Sequence, residues 1–147
     1  NIHGLIVGDE KKKNKYKAEL KNKINELKLK KSITFVGHRN DIREVMSISK
    51  IVFSLSKEPE AFGRVSLESL SIGKPVIAYS HGGVKEQLVR LFPSGLIKVG
   101  SINEATKLAI KLLRKPPKTK KNNFFTLEKM LKTTLNIYKK RYVKKRV

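Results

Sequence analysis

Glu60, Gly63, Glu68, Gly82, Gly83 and Glu86 lie in one stretch, EAFGRVSLESLSIGKPVIAYSHGGVKE. A carboxylate accepts paired hydrogen bonds from neighbouring hydroxyls, the chemistry that holds a sugar or a ribose. A glycine lets the backbone come close to a ligand. Where a helix follows, its first amides are unpaired donors in a partial positive field, which suits a phosphate. Glu60 precedes such a helix start and Glu68 lies one or two turns into the helix. Both repel phosphate, so each is expected to face neutral hydroxyls. The plainer reading makes Gly63 an ordinary turn residue and the glutamates solvated; Leu67 and Leu70 beside Glu68 weigh against it there. The pair Gly82–Gly83 permits a tight turn and close ligand approach. Glu86 has two readings: a cap on that turn, or a direct ligand contact.

Other site chemistries lack their spacing. There is no GxxxxGK[ST] phosphate loop and no GxGxxG fingerprint. Without a GxSxG elbow, Ser54, Ser56 and Ser66 have no standing as nucleophiles. His3, His38 and His81 are scattered, so no metal site is expected. Asp9 and Asp41 read as caps at turns.

The elements that must position the stretch follow from pattern. GLIVGD (Gly4 to Asp9), Ser32–Gly37, Lys50–Ser56, Pro75–Ser80 and Gly95–Gly100 read as five short apolar strands. Helices are expected over Lys15–Leu29, from Asn40 or Asp41 to Met46, over Arg64–Ser71, from Val84 to Leu91 and from Ser101 or Asn103 to Leu113. A last helix starts at a Thr126 cap, with Leu127, Leu131, Leu135 and Tyr138 at helical spacing. Gly73 ends the third helix and Pro75 bars its continuation. Strand–helix alternation predicts an α/β domain with a mostly parallel sheet and helices on both faces. Ligands bind such sheets beyond the carboxyl ends of the strands, where the glutamates and glycines fall.

The 147 residues, 39% of them hydrophobic, suit one domain with its own core and a helical tail from 122 onward. No apolar run reaches membrane-spanning length and no apolar leader opens the chain, so a cytoplasmic protein is expected, peripheral to a membrane at most. Cysteine is absent, which removes disulfides and thiolate chemistry. The net charge of +22 gathers in residues 11–31, 111–121 and 129–146, away from the glycine-rich centre. It has three readings: nucleic-acid binding, attraction to an anionic membrane, or solvation of outer helix faces. No nucleic-acid motif accompanies it and few aromatics interleave with the lysines, so no specific nucleic acid is expected.

The segment PEAFGRVSLESLSIGKPVIAYSHGGVKE resembles the signature of the retaining group 1 nucleotide-sugar glycosyltransferases, enzymes of two Rossmann-like domains (the GT-B fold). Glu60, Phe62, Gly63, Glu68, Gly73, Pro75, Val76, Ile77, Ala78, Gly82, Gly83 and Glu86 match its pattern in order. Residues 5–56 are similar to the family's C-terminal domain from its second strand onward, with VGDE in place of the commoner Val-Gly-Asp-Gly. Phe125, Thr126, Glu128 and Tyr138 match its closing helix, where Leu127 replaces a tryptophan. The resemblance implies one half of a GT-B fold whose donor is a nucleoside-diphosphate sugar, with no further cofactor. It puts Glu60 at the donor sugar's hydroxyls as the catalytic-site carboxylate and Glu68 at the nucleotide's ribose. Phe62, Gly63 and Arg64 supply amides to the distal phosphate and sugar, and Gly82–Gly83 shape the loop behind the donor.

The family also carries an N-terminal acceptor-binding domain and a first strand whose loop brings an Arg and a Lys to the phosphates. Neither is found in these 147 residues. The expectation is therefore a donor-binding half, incomplete at its N-terminal edge, needing a separate acceptor-binding domain or chain and inactive alone. Its rivals are a non-catalytic Rossmann-like assembly module and a basic domain that binds nucleic acid or a membrane surface.

Overall fold

The computed structural model describes residues 2–8, 15–119 and 124–144. The expectation at Asp9 lies outside these residues, as do 122–123 and 145–147 of the expected tail. The chain falls into two compact units, Asn1–Ile42 and Arg43–Val147.

In the first unit β1 (Gly4–Val7) and β2 (Ile33–Gly37) pair in parallel, Leu5 opposite Thr34 and Ile6 opposite Phe35, joined by α1 (Lys15–Glu26). Leu20 and Ile24 of α1 are half-buried, but Tyr16 and Leu27 are exposed. Lys17 and Lys21 lie over the Phe35 ring, 5.6 and 5.9 Å from its centre. The helix stops three residues before the expected Leu29. Lys28 takes a left-handed φ of 55°, while the Lys28 amide donates to the Asn25 carbonyl and the Leu29 amide to that of Ile24. This is a Schellman stop with lysine where glycine usually stands, which hid it from the sequence.

The second unit holds β3 (Val52–Ser54), β4 (Val76–Tyr79) and β5 (Leu96–Ile97), all parallel, with β4 in the centre. The helices are α2 (Ile42–Ile48, which begins at the unit boundary), α3 (Arg64–Ser71), α4 (Gly82–Leu91), α5 (Ile102–Arg114) and α6 (Leu127–Lys144). Among the described residues the five strands form two parallel sheets, of two and three strands. β3 pairs with β4 and is shorter than the expected Lys50–Ser56; its Phe53 is 49% exposed.

Every residue of β4 is buried. Val76 and Ile77 have no exposed surface, and burying each contributes about 1.5–3 kcal/mol. Around them pack Leu70 of α3, Val84, Leu88 and Leu91 of α4, Phe92, Ile97 and Leu112 of α5. Gly73 ends α3 as the sequence predicts: its φ is 81°, and the Gly73 and Lys74 amides return to the Leu70 and Ser69 carbonyls. Ser101 rather than Asn103 caps α5, its hydroxyl accepting from the Glu104 amide at 3.3 Å. Thr126 caps α6 through the Lys129 amide, also at 3.3 Å. Asp41 stands before α2, but its carboxylate pairs with the Arg39 guanidinium, which lowers its pKa. The α6 stripe of Leu127, Leu131, Leu135 and Tyr138 is regular but uncovered, each residue at least half exposed.

Candidate functional site at the ends of the third and fourth strands

The loop after β3 (55–63) is tied three times to the segment after β4, once to the turn at His81 and twice to α4. The His81 ring Nε2 donates to the Ser56 carbonyl at 3.0 Å, which places the ring proton on Nε2. The Gly83 amide donates to the Glu60 carbonyl at 2.8 Å. The Gln87 side-chain amide donates to the Phe62 carbonyl.

The two glycines make this closeness possible, and they do so inside the helix. The sequence suggests a turn followed by a helix from Val84; α4 in fact begins at Gly82. A Cβ on Gly82 would lie 2.6 Å from the Glu60 carbonyl oxygen, and one on Gly83 would lie 2.8 Å from the Phe62 Cα. A side chain at either position would therefore meet backbone of the 60–62 loop. Gly63 is buried, and a Cβ there would collide with the Val84 side chain. All three glycines press the loop onto α4, a packing duty that the ligand-approach reading did not foresee.

This packing presents the start of α3. Gly63 is its N-cap and no side chain caps it, so the first-turn amides have no intrahelical acceptor. Arg64 opens the helix and Glu68 sits one turn on. Arg64 Nε and Nη2 both donate to Glu68 Oε1, at 3.2 and 3.1 Å. With the side chains 84% and 43% exposed, such a pair contributes at most a few tenths of a kcal/mol. A ligand hydroxyl displaces it at little cost. Glu60 is half-buried and accepts a long hydrogen bond of 3.4 Å from the Ser54 hydroxyl. Phe62 is 48% exposed, with its ring edge-on to Phe125 at 6.4 Å.

Glu60, Phe62, Gly63, Arg64, Glu68, Gly82 and Gly83 therefore come together in one region. Glu86 does not serve as the cap on the 80–82 turn: it is exposed, and His81, the N-cap of α4, has no side-chain cap. A helix that starts at Gly82 carries Glu86 more than a turn past its N-terminus, too far to reach back. Two residues escaped the sequence reading. Gln87 and Ser66 are 1% and 0% exposed and hydrogen-bond each other at 2.8 Å. The available signal was a glutamine within the buried stripe Val84, Gln87, Leu88, Leu91. Among the described residues no three metal-ligating side chains gather, and no helix is long and apolar enough to cross a membrane.

Parallel strands with helices around them and this pair of linked loops define an α/β glycosyltransferase domain of the GT-B kind. The family model described as "Glycosyl transferases group 1" matches residues 1–124, and the chain belongs to that family. It is similar to a glycosyltransferase from Rickettsia africae, with 27% identity and a TM-score of 0.78 over 95% of this chain and 40% of that one. HepE from Anabaena, solved in complex with UDP-glucose, gives 33% identity and a TM-score of 0.69 over 76% of this chain and 31% of that one. N-acetyl-alpha-D-glucosaminyl L-malate synthase from Bacillus anthracis is 30% identical over 91 residues, 62% of this chain and 24% of that protein. The chain thus spans less than half the length of each of these relatives.

Proposed function

We propose that this chain is the donor-binding half of a retaining glycosyltransferase, holding a nucleoside-diphosphate sugar for transfer to an acceptor hydroxyl. The observation that carries the reading is the uncapped start of α3, with Glu60 ahead of its N-terminus and Glu68 one turn behind. An anion at the first-turn amides has its charge met by the helix field and by Arg64. A carboxylate lies on either side for neutral hydroxyls. Glu60 takes those of the sugar and Glu68 those of the ribose. The arrangement stabilises a leaving diphosphate, so the transition state gains more than the ground state does. The bond from the anomeric carbon to the diphosphate oxygen breaks, and the acceptor oxygen bonds on the same face. Its proton passes to the departing diphosphate. The UDP-glucose of the Anabaena complex makes a uridine donor the first to try.

The acceptor half is a separate partner in this reading, and the chain alone transfers little sugar. The exposed stripe of α6 offers an apolar surface for that half to cover. The test is thermal unfolding with UDP-glucose, UDP and free glucose, for wild type, Glu60→Ala and Glu68→Ala. The nucleotides raise Tm in a saturable way and glucose does not; Glu68→Ala blunts the rise with UDP and UDP-glucose, Glu60→Ala blunts it with UDP-glucose only, and neither lowers the unliganded Tm by more than a degree or two. A Tm indifferent to UDP-glucose overturns the reading.

A further inference from the structure

Gln87 is fully inside the protein yet carries three hydrogen-bonding positions, and its placement spans two elements. Its Nε2 donates to the Phe62 carbonyl, while its Oε1 accepts from the Ser66 hydroxyl at 2.8 Å. The Ser66 oxygen also lies 2.8 Å from the Gly63 carbonyl. The amide has one workable orientation, since flipping it would set oxygen against the Phe62 oxygen. Every buried side-chain polar atom among the described residues has at least one partner.

The consequence concerns where amides point. No peptide in the described chain is cis, and across a trans peptide C=O and N–H are antiparallel. The Phe62 carbonyl, held on Gln87, turns the Gly63 N–H away from α4. The Glu60 carbonyl, held on the Gly83 amide, does the same for Ala61. The Gly63 carbonyl accepts from the Leu67 amide at 3.3 Å, which sets the Arg64 N–H. The Glu60, Phe62 and Gly63 carbonyls are thereby held by α4 and α3, and the Ala61, Gly63 and Arg64 amides are directed the other way before any ligand arrives.

We propose that Gln87 is a positioning residue: from α4 it fixes the Phe62–Arg64 backbone through Phe62 and Ser66, so that the amides at the start of α3 are set in advance for an anionic donor. The role rests on the donor reading above. Gln87 itself touches no ligand.

Two variants and two readouts test it. Gln87→Met keeps the length and removes donor and acceptor. UDP affinity falls about tenfold, the equivalent of one hydrogen bond's worth of preorganisation. Amide hydrogen exchange at Gly63 and Arg64 quickens, while that of Ile77 to Tyr79 stays slow. Gln87→Glu is isosteric. Its carboxylic acid donates to the Phe62 carbonyl at low pH, whereas its carboxylate repels it at high pH. Burial raises that carboxyl's pKa, so UDP affinity of Gln87→Glu, measured relative to wild type at each pH, is near parity around pH 5 and falls toward pH 8. A residue that merely supports the fold shifts stability without this pH profile. Unchanged exchange at Gly63 and Arg64 in Gln87→Met, or a pH profile of Gln87→Glu parallel to wild type, overturns the positioning role. Failure of wild type to bind UDP at all overturns the donor reading instead, and the exchange measurement still decides whether Gln87 sets the loop.

Discussion

Gly83→Ala sets two physical rules against each other. Alanine is the better helix former, and in an exposed helix interior the change from glycine gains up to about 1 kcal/mol. At position 83 the added methyl would collide with the Ala61 carbonyl oxygen and lie 2.8 Å from the Phe62 Cα. Both obstacles are backbone and cannot swing aside as a side-chain end can. The 60–62 loop must retreat, at the 1–3 kcal/mol typical of overpacking, roughly. Retreat also stretches the 2.8 Å hydrogen bond from the Gly83 amide to the Glu60 carbonyl, a further loss of about 0.5–1.5 kcal/mol. The steric side wins, and Gly83→Ala is destabilised by about 1–3 kcal/mol. Urea unfolding read by circular dichroism measures it. Gly8→Ala is the control: among the described residues no atom beyond its chain neighbours lies within 4 Å of the added methyl, and its midpoint shifts by less than about 0.5 kcal/mol in energy. If Gly83→Ala unfolds at the same urea concentration as wild type or a higher one, helix propensity rules that position, and the close approach of the two loops is not what requires glycine there.

Three further outcomes follow from the same structure. Lys28→Gly relieves a left-handed lysine at the end of α1 and raises stability by about 0.5–1 kcal/mol; a urea midpoint unchanged or lowered contradicts the Schellman stop. Asp41, held by Arg39, titrates below the ordinary carboxylate value of 3.8. Its pairing therefore favours the folded state above that value and stops doing so as pH falls through the lowered pKa; carbon NMR of the carboxyl reads the midpoint, and Arg39→Ala returns it to the ordinary value. The charge of +22 draws the chain to vesicles rich in phosphatidylserine at low salt and releases it near 1 M salt, where screening reaches about 3 Å; sedimentation that is insensitive to salt, or equal on neutral vesicles, contradicts an electrostatic origin.

What was legible in the sequence is where side chain and backbone agree. Arg64–Ser71 is bounded as expected because Gly63 and Gly73 both take positive φ at its ends and Pro75 forbids continuation. The buried strand VIAY is apolar throughout, so its central place needs no further information. Misreadings came where a residue type departs from its usual role. Gly82 and Gly83 look like a turn but form the first turn of α4, because their small size serves packing. Lys28 looks like a helix former and is a stop. Gln87 drew no reading from the sequence, since glutamine is mostly an exposed residue type, and the three-dimensional neighbourhood of Ser66 and Phe62 shows why a buried position tolerates it. Glu60 and Glu68 were readable through the family resemblance; the Arg64 pairing of Glu68, and its low cost of release, needed coordinates.

The central claim is that this chain holds the donor nucleotide, and calorimetric titration with UDP, GDP and ADP, alongside Glu68→Ala, tests it most directly. The account predicts saturable binding of one nucleotide, weakened at least tenfold in Glu68→Ala, while the variant's unfolding midpoint stays within about 0.5 kcal/mol of wild type. Absence of binding to all three by the folded chain, or equal binding by Glu68→Ala, contradicts it.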